Sequence, residues 1–290
     1  MKNSKTIFGR FFLTAIAALL LAGLLAGCTP GTTTKTGGDV LKIIASITPV
    51  ADFVKQIGGD KVEVTIMVPA GASPHTYEPT TSQMVFISEA DVFIKVGSGV
   101  DYEEVWMNDI IDMNRDMQLI DCSEGIEIIN EDPHIWTSPL NARQMVQNIY
   151  NGLMGLDSDN ADYYQSNYES YVSELETLHS DITNILGGYD NRNFLIYHPS
   201  FAYFASEYDL IQIPIEHQGK EPTPKIIQDC IDQAHEHNLN YVFASPHETD
   251  AYAQTIAAEI SGSVLYIDPL PLSYISNMRD VAESIMLELE

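Results

Sequence analysis

Four short apolar runs in the first part of the chain, 41–47, 62–68, 92–96 and 117–120, are rich in β-branched residues and bounded by turn formers, which predicts strands. The windows between them, 49–57, 82–90 and 102–113, read as helices. Strand alternating with helix predicts a mostly parallel sheet with helices on its faces. Ser138 then stands as an N-cap with Pro139 at the first helical position, and the first lobe ends there. From 158 to 186 there is neither Pro nor Gly, and Tyr164, Tyr168, Tyr171, Leu175, Leu178, Ile182 and Ile185 step alternately by four and three. That spacing predicts one helix roughly 45 Å long at 1.5 Å per residue, with a narrow apolar stripe suited to a strut lying along two lobes. A coiled-coil seam is the alternative, but a single such helix amid α/β segments has little reason to find a partner. Gly187-Gly188 closes the strut. Strands are then predicted at 194–197, 210–213, 241–244 and 264–267, and helices at 200–208, 224–236, 250–260 and 275–289. The expected fold class is α/β, with two lobes bridged by one long rigid helix and no internal repeat evident at the residue level.

The first 28 residues belong to neither lobe. Lys2, Lys5 and Arg10 precede an apolar run at 11–25, the order of a secretory signal. The run ends in Leu25-Ala26-Gly27-Cys28, which resembles the lipobox of secreted lipoproteins, in which the cysteine is lipidated and becomes the first mature residue. An uncleaved membrane anchor is the alternative, although the run is somewhat short for a full span. Either reading exports the rest of the chain and tethers it to the outer face of the cell membrane, and the two chains of a diacylglyceryl group on Cys28 suffice for stable anchoring. Residues 29–39 are small and polar and read as a flexible tether, so folding is expected to begin near Val40.

At 290 residues the chain is long enough for two domains, each with its own core. The expected boundaries are a lipoprotein signal at 1–28, a tether at 29–39, an N-terminal lobe at 40–138, a helical linker at 139–187 and a C-terminal lobe at 188–290. Losing the three basic residues of the leader takes the formal charge from −27 to −30, which argues against a nucleic-acid partner because nothing neutralises phosphate. An acidic surface concentrates cations near it, and it equally suits a salty habitat. With Cys28 assigned to lipid, Cys122 and Cys230 remain; they fall in different lobes and are expected as buried free thiols.

Four ligand-type side chains fall close to predicted strand or turn ends, two in each lobe: His75, His134, His198 and Asp268. Each adjoins a proline, in Pro74-His75, Pro133-His134, His198-Pro199 and Asp268-Pro269, which fixes the local backbone and lowers the entropy lost on grasping a ligand. Three neutral imidazoles and a carboxylate suit a borderline divalent cation such as Zn²⁺ and are too rich in nitrogen for Ca²⁺ or Mg²⁺. Four protein ligands close the coordination sphere, which favours carrying the ion over using it for hydrolysis.

Five ordered segments, Pro74-His75-Thr76-Tyr77-Glu78-Pro79, Asp132-Pro133-His134-Ile135-Trp136, His198-Pro199-Ser200-Phe201-Ala202-Tyr203-Phe204, Ile215-Glu216-His217-Gln218-Gly219-Lys220-Glu221-Pro222 and Asp268-Pro269-Leu270, resemble the motifs of the zinc- or manganese-binding substrate-binding lipoproteins of metal ABC transporters (solute-binding protein family 9, cluster A-I). The resemblance runs from about Val40 to the C-terminus. It implies two Rossmann-like lobes bridged by a rigid helix, one metal in the cleft, a monomer, and delivery of the ion to a membrane permease powered by a cytoplasmic ATPase. In such relatives the third ligand is His or Glu; His198 favours zinc, while Asp268 keeps manganese open.

The chain departs from the pattern by lacking the His- and Asp-rich loop of many zinc-specific relatives, and by placing His247 where relatives often carry Gln after Pro. His247 is expected as a loop residue facing solvent, with a role beside the metal or as an alternate ligand as the second reading. Glu78 and Tyr77 are candidates for orienting the imidazoles, with packing as the equal alternative; Glu216 and His217 are expected to shape the cleft or orient the second lobe, and Glu216, like Glu78, is a candidate for a place beside the metal or as an alternate ligand. Tyr197, Tyr203 and Phe204 are expected to wall the site. His235-Glu236-His237 reads as a solvated helix end, because i and i+2 point to different sides, and His179 reads as a surface residue. Competing functions are the same architecture carrying Mn²⁺ or Fe²⁺, a zinc hydrolase using the three histidines with Asp268 as base, an adhesin, a role given to some exported relatives, and a carrier of chelated metal, against which four convergent protein ligands argue.

Overall fold

The β-branched runs are strands because each can be covered on both faces, and in both lobes they pair in parallel throughout. The computed structural model describes residues 40–216, 220–247 and 250–290; the segment at 1–28 expected to be a signal, with Cys28, the expected tether at 29–39 and His217 lie outside them. In the first lobe β1 (Leu41–Ala45), β2 (Val62–Ile66), β3 (Val92–Lys95) and β4 (Gln118–Asp121) alternate with α1 (Thr48–Gly58), α2 (Thr81–Glu89) and α3 (Asp101–Met113). The strand order is β2-β1-β3-β4. Two helices follow, α4 (Pro139–Leu156) and α5 (Ala161–Leu186). The second lobe alternates β5 (Asn193–Ile196), β6 (Ile211–Pro214), β7 (Tyr241–Ala244) and β8 (Ser263–Tyr266) with α6 (Ala202–Glu207), α7 (Pro224–His237) and α8 (Ala251–Glu259) before α9 (Tyr274–Leu289). The second sheet has the order β6-β5-β7-β8, so the two lobes share one topology. Among the described residues no helix is long and apolar enough to cross a membrane.

In each sheet the chain leaves the first strand toward one edge and returns to the other side of it for the third. The crevice this creates, beyond the carboxyl ends of the strands, is where ligands sit in open α/β sheets. Local signals set the helix ends as the residues require. Ser138 caps α4 by accepting from Asn141 N at 3.1 Å, with Pro139 following it. Thr80 and Gln83 close a capping box on α2.

The strut begins later than its spacing predicts. Residues Ser158–Asn160 form a 3-10 turn, and Asp157 accepts from Asn160 Nδ2 and Tyr164 Oη, both at 2.7 Å, which ties the turn to the start of α5. The 26 residues of α5 span about 39 Å. Its stripe is buried at Tyr164, Tyr171, Leu175, Leu178, Ile182 and Leu186, and α4, α9 and α1 pack against it. It is therefore a packed central helix and not a free-standing rod.

The interior is not divided where the lobes meet. On β5, Phe194 and Ile196 join the same buried cluster as the first lobe and α5, while Leu195, and Tyr197 just past the strand's end, face a smaller cluster with residues of α7 and α8. On β7, Phe243 faces the first cluster and Val242 and Ala244 the second. Side chains alternate across a strand, so β5 and β7 divide their residues between the shared core and an outer one. Cys122 and Cys230 are buried free thiols, and burial pushes both up, Cys230 to about 11.

Polar links across the lobes lie beside this shared core. Thr48 Oγ1 donates to Leu270 O at 2.6 Å, Tyr274 N to Asp52 Oδ2 at 2.8 Å and Trp136 Nε1 to Pro269 O at 2.7 Å. His179, expected at the surface, instead approaches the buried carboxylate of Glu207 at 2.7 Å and the hydroxyl of Tyr208 at 3.1 Å, because α6 brings both against the strut. Ser138 donates to the same carboxylate. The His235 and His237 pair does sit at the carboxyl end of α7, with His235 exposed.

Candidate metal centre

Three of the proline-flanked segments are turns of one kind. In Ser73-Pro74-His75, Asp132-Pro133-His134 and Asp268-Pro269-Leu270 the side chain of the first residue accepts from the backbone N–H of the third, at 3.3, 2.9 and 2.8 Å. Proline fixes φ between them, so a short polar side chain and a rigid middle residue together aim the third. The first of these turns sits in the loop after β2, the second after β4 and the third just after β8. His198 comes directly after β5.

The first turn of α3 braces the His75 loop. Tyr102 N donates to Pro74 O at 3.3 Å, and Tyr102 Oη donates to Ser46 Oγ at 2.9 Å at the end of β1. Glu103 accepts from Val96 N at 2.8 Å, from Gly97 N at 2.9 Å and from Ser46 Oγ, which locks the same turn to the end of β3. Gly97 has φ +82°, and a Cβ there would collide with the carboxylate of Asp121, so the loop needs glycine. Burial raises Glu103 above the ordinary carboxylate range, against the pull of its hydrogen bonds and of Lys95.

The three histidines converge. Their ligand nitrogens lie within 4.8 Å of one another, and their ring centroids are 5.1 to 5.5 Å apart. Each Nδ1 meets a carboxylate: His75 with Asp101 at 2.6 Å, His134 with Asp132 at 2.7 Å and His198 with Glu216 at 3.3 Å. A carboxylate accepts, so the proton sits on Nδ1 and the lone pair on Nε2 faces the cluster. His134 Nε2 and His198 Nε2 are 3.3 Å apart. Two lone pairs cannot hydrogen-bond, and two donors on a tetrahedral Zn²⁺ with bonds of about 2.0–2.1 Å stand about 3.3–3.4 Å apart. The separation therefore fits two corners of a tetrahedron around a cation. Burial holds His134 below the ordinary histidine value, opposed by Asp132 and helped by His198 and His75, which keeps it neutral and ready to ligate.

Asp268 is placed at the same end of the second sheet but is not a member of the three-histidine group. Its Oδ1 accepts from Leu270 N, its main-chain oxygen accepts from Asn277 Nδ2 at 2.8 Å, and its Oδ2 lies 3.3 Å from His247 Nε2. Pro269, next to it, is hydrogen-bonded to Trp136, whose ring stands 5.2 Å from that of His134.

Glu78 is exposed, and Tyr77 Oη donates to Gln83 Oε1 at 2.7 Å in support of the α2 cap. Asp101 and Asp132 take the orienting positions instead, beside Glu216. Asp132 is signalled by the Asp-Pro-His order itself; Asp101, 26 residues from its imidazole, carries no signal beyond being an acid at a helix start. Tyr203 and Phe204 are buried, and Tyr203 Oη donates to Asp132 O at 2.8 Å while accepting from Ile129 N at 3.0 Å. Tyr197 is buried but faces the outer cluster.

Comparison with known proteins agrees with this geometry. The sequence pattern of the family described as zinc-uptake complex component A, periplasmic, matches residues 43–286. The chain is 28% identical over 283 residues to the high-affinity zinc uptake system protein ZnuA of Bacillus subtilis, covering 89% of this chain and 87% of that one. It is 30% identical over 271 residues to the manganese-binding lipoprotein MntA of Halalkalibacterium halodurans, covering 88% of each. A crystal structure of ZnuA superposes with a TM-score of 0.84 at 38% identity, over 87% of this chain and 100% of that one.

Proposed function

Because the chain belongs to the family of periplasmic zinc-uptake complex A components, we propose that it captures Zn²⁺ between its lobes and delivers it to a membrane permease driven by a cytoplasmic ATPase. Membership makes it a metal-binding component of an uptake system and not an enzyme. In this reading His75, His134 and His198 are the imidazole ligands and Asp268 completes the sphere from the second lobe. Cys28, lipidated, holds the protein at the outer face of the membrane.

The observation that carries the proposal is the set of three imidazoles whose Nδ1 atoms are each backed by a carboxylate, which leaves Nε2 as the metal-binding atom of each, in a cluster whose ligand nitrogens lie within 4.8 Å of one another. Nitrogen donors in that number favour Zn²⁺ over harder ions. A manganese cargo is the second reading, favoured by the carboxylate of Asp268 and by the similarity to a manganese-binding lipoprotein. Competition titration of the metal-free protein with Zn²⁺ and Mn²⁺, with elemental analysis after dialysis, tests the proposal. One tightly held zinc per chain is expected, with loss of affinity in His75→Ala, His134→Ala and His198→Ala. Preference for Mn²⁺ or Fe²⁺, or full zinc affinity in His198→Ala, overturns the assignment.

A further inference from the structure

The tetrapeptide Ala-Ser-Pro-His occurs twice, as Ala72-Ser73-Pro74-His75 in the first lobe and Ala244-Ser245-Pro246-His247 in the second. Both copies fold into the same turn: His247 N donates to Ser245 Oγ at 3.2 Å, as His75 N does to Ser73 Oγ at 3.3 Å. The two turns face each other. A Cβ placed on Gly71, just before the first copy, would stand 3.9 Å from His247 Nδ1. His247 is thus delivered to the cleft by the device that delivers His75 and, with Asp in place of Ser, His134.

Two buried imidazole nitrogens among the described residues lack a hydrogen-bond partner, Nε2 of His75 and Nε2 of His247. His247 Nε2 lies 3.3 Å from Asp268 Oδ2, yet without hydrogen-bond geometry. That separation is again about the distance between two donors on one tetrahedral Zn²⁺. Exposure orders the donors: the side chains of His134 and His198 are 7% and 12% exposed, those of Asp268, His247 and His75 are 25%, 26% and 28%. The second group reaches closer to the surface of the cleft, although the Nε2 atoms of His75 and His247 are themselves covered.

We propose that His247 is a metal ligand at the rim of the cleft, which with Asp268 binds a divalent cation on its way into and out of the three-histidine cluster. The inference rests on that cluster being the resting site. An ion leaving the three imidazoles and Asp268 in one step must lose all its protein bonds to water. An ion that keeps Asp268 and takes up His247 as an imidazole lets go exchanges one donor at a time and keeps its coordination number, which lowers the barrier in both directions without changing the affinity of the resting state.

The test is stopped-flow exchange of Zn²⁺ between the full-length exported protein and a chromophoric chelator, in both directions, with equilibrium titration alongside. His247→Gln is expected to slow uptake and release by tenfold or more while the equilibrium affinity stays within threefold. His247→Glu, which keeps a donor of similar reach, is expected to retain fast exchange. Rates within twofold of the parent protein in His247→Gln overturn the proposal. So does a more than tenfold loss of equilibrium affinity, which would make His247 a permanent ligand. Melting of the metal-free variants confirms that each is folded. His134→Ala, titrated in parallel, separates the two levels: if it still binds zinc fully, the resting site itself is wrong, whatever His247 does.

Discussion

Asp132→Ala removes two interactions at once, the 2.7 Å bond from His134 Nδ1 and the 2.9 Å bond from His134 N. The first fixes the tautomer and orientation of the most buried imidazole in the cluster; the second holds the turn that presents it. Loss of such an outer partner typically weakens metal binding by about 10- to 100-fold, or about 1.4 to 2.7 kcal/mol. Asp132→Asn keeps an oxygen acceptor and loses only the charge. Hydrogen bonds to charged groups contribute about 1 kcal/mol more than neutral ones, so the Asn variant should weaken binding about fivefold. Proton competition does not blur the comparison at neutral pH. Burial already holds His134 below its ordinary value, and removing the Asp132 charge lowers it further, so the imidazole is neutral in all three proteins. The assay is competition titration of Zn²⁺ against a fluorescent chelator, with thermal melting of the metal-free proteins to establish that the fold is intact. Affinity within twofold of the parent in a folded Asp132→Ala protein would refute the orienting role.

Zinc affinity should fall as pH drops through the histidine range, since each ligand must be deprotonated to bind, and titration on either side of that range would show it; equal affinity on both sides contradicts imidazole ligation. Glu288 accepts from Asn240 N and Tyr241 N and is pushed up to about 7 by burial, so the folded protein holds a proton that the unfolded chain releases. Its contribution to the stability of the metal-free protein is therefore fully present below the ordinary glutamate range and is lost as pH rises to about 7; between about pH 5 and about pH 8 the denaturation midpoint should fall more in the parent than in Glu288→Gln, and equal falls contradict it. Trp136→Phe leaves the Pro269 carbonyl without its donor and should cost about 1 to 3 kcal/mol in urea unfolding; a smaller loss would mean that water takes the place of the indole. Small-angle scattering with and without zinc should superpose, and a change of many degrees in lobe orientation would contradict the locking of the lobes by their shared core.

Much of this molecule is legible in its sequence because the signals are local. The four-three stripe from Tyr164 onward, the Ser138-Pro139 start of α4 and the β-branched runs depend on neighbours a few residues away, and they recur in the structure with ends shifted by a few residues. The prolines beside His75 and His134 likewise mark turns whose geometry is set within three residues. Long-range pairings leave no such trace. Nothing in the composition of α3 shows that Asp101 belongs to His75, and nothing near Trp136 shows that its indole reaches Pro269, 133 residues on. The shared core is hidden for the same reason. Alternation along β5 and β7 shows that both faces are buried, but not that one of them is covered by the strut and the first lobe.

The polar links fix where the site can and cannot give way. Thr48, Trp136 and Tyr274 bind the backbone or side chains of the opposite lobe beside the cleft, and Tyr203 ties the backbone of the His134 turn to α6. Separating the lobes by a hinge would break these bonds and open a continuous buried cluster, a cost spread over many residues for the release of one ion. The base of the cluster is equally held, since His134 and His198 are nearly buried and each rests on a carboxylate. The freedom that remains lies at the outer edge, with His75, His247 and Asp268, where side chains are about a quarter exposed and two imidazole nitrogens await a partner. On the proposed function, release is therefore an exchange of donors at that edge, in which the turn that carries His247 sets the rate while His75, His134, His198 and Asp268 together set the affinity.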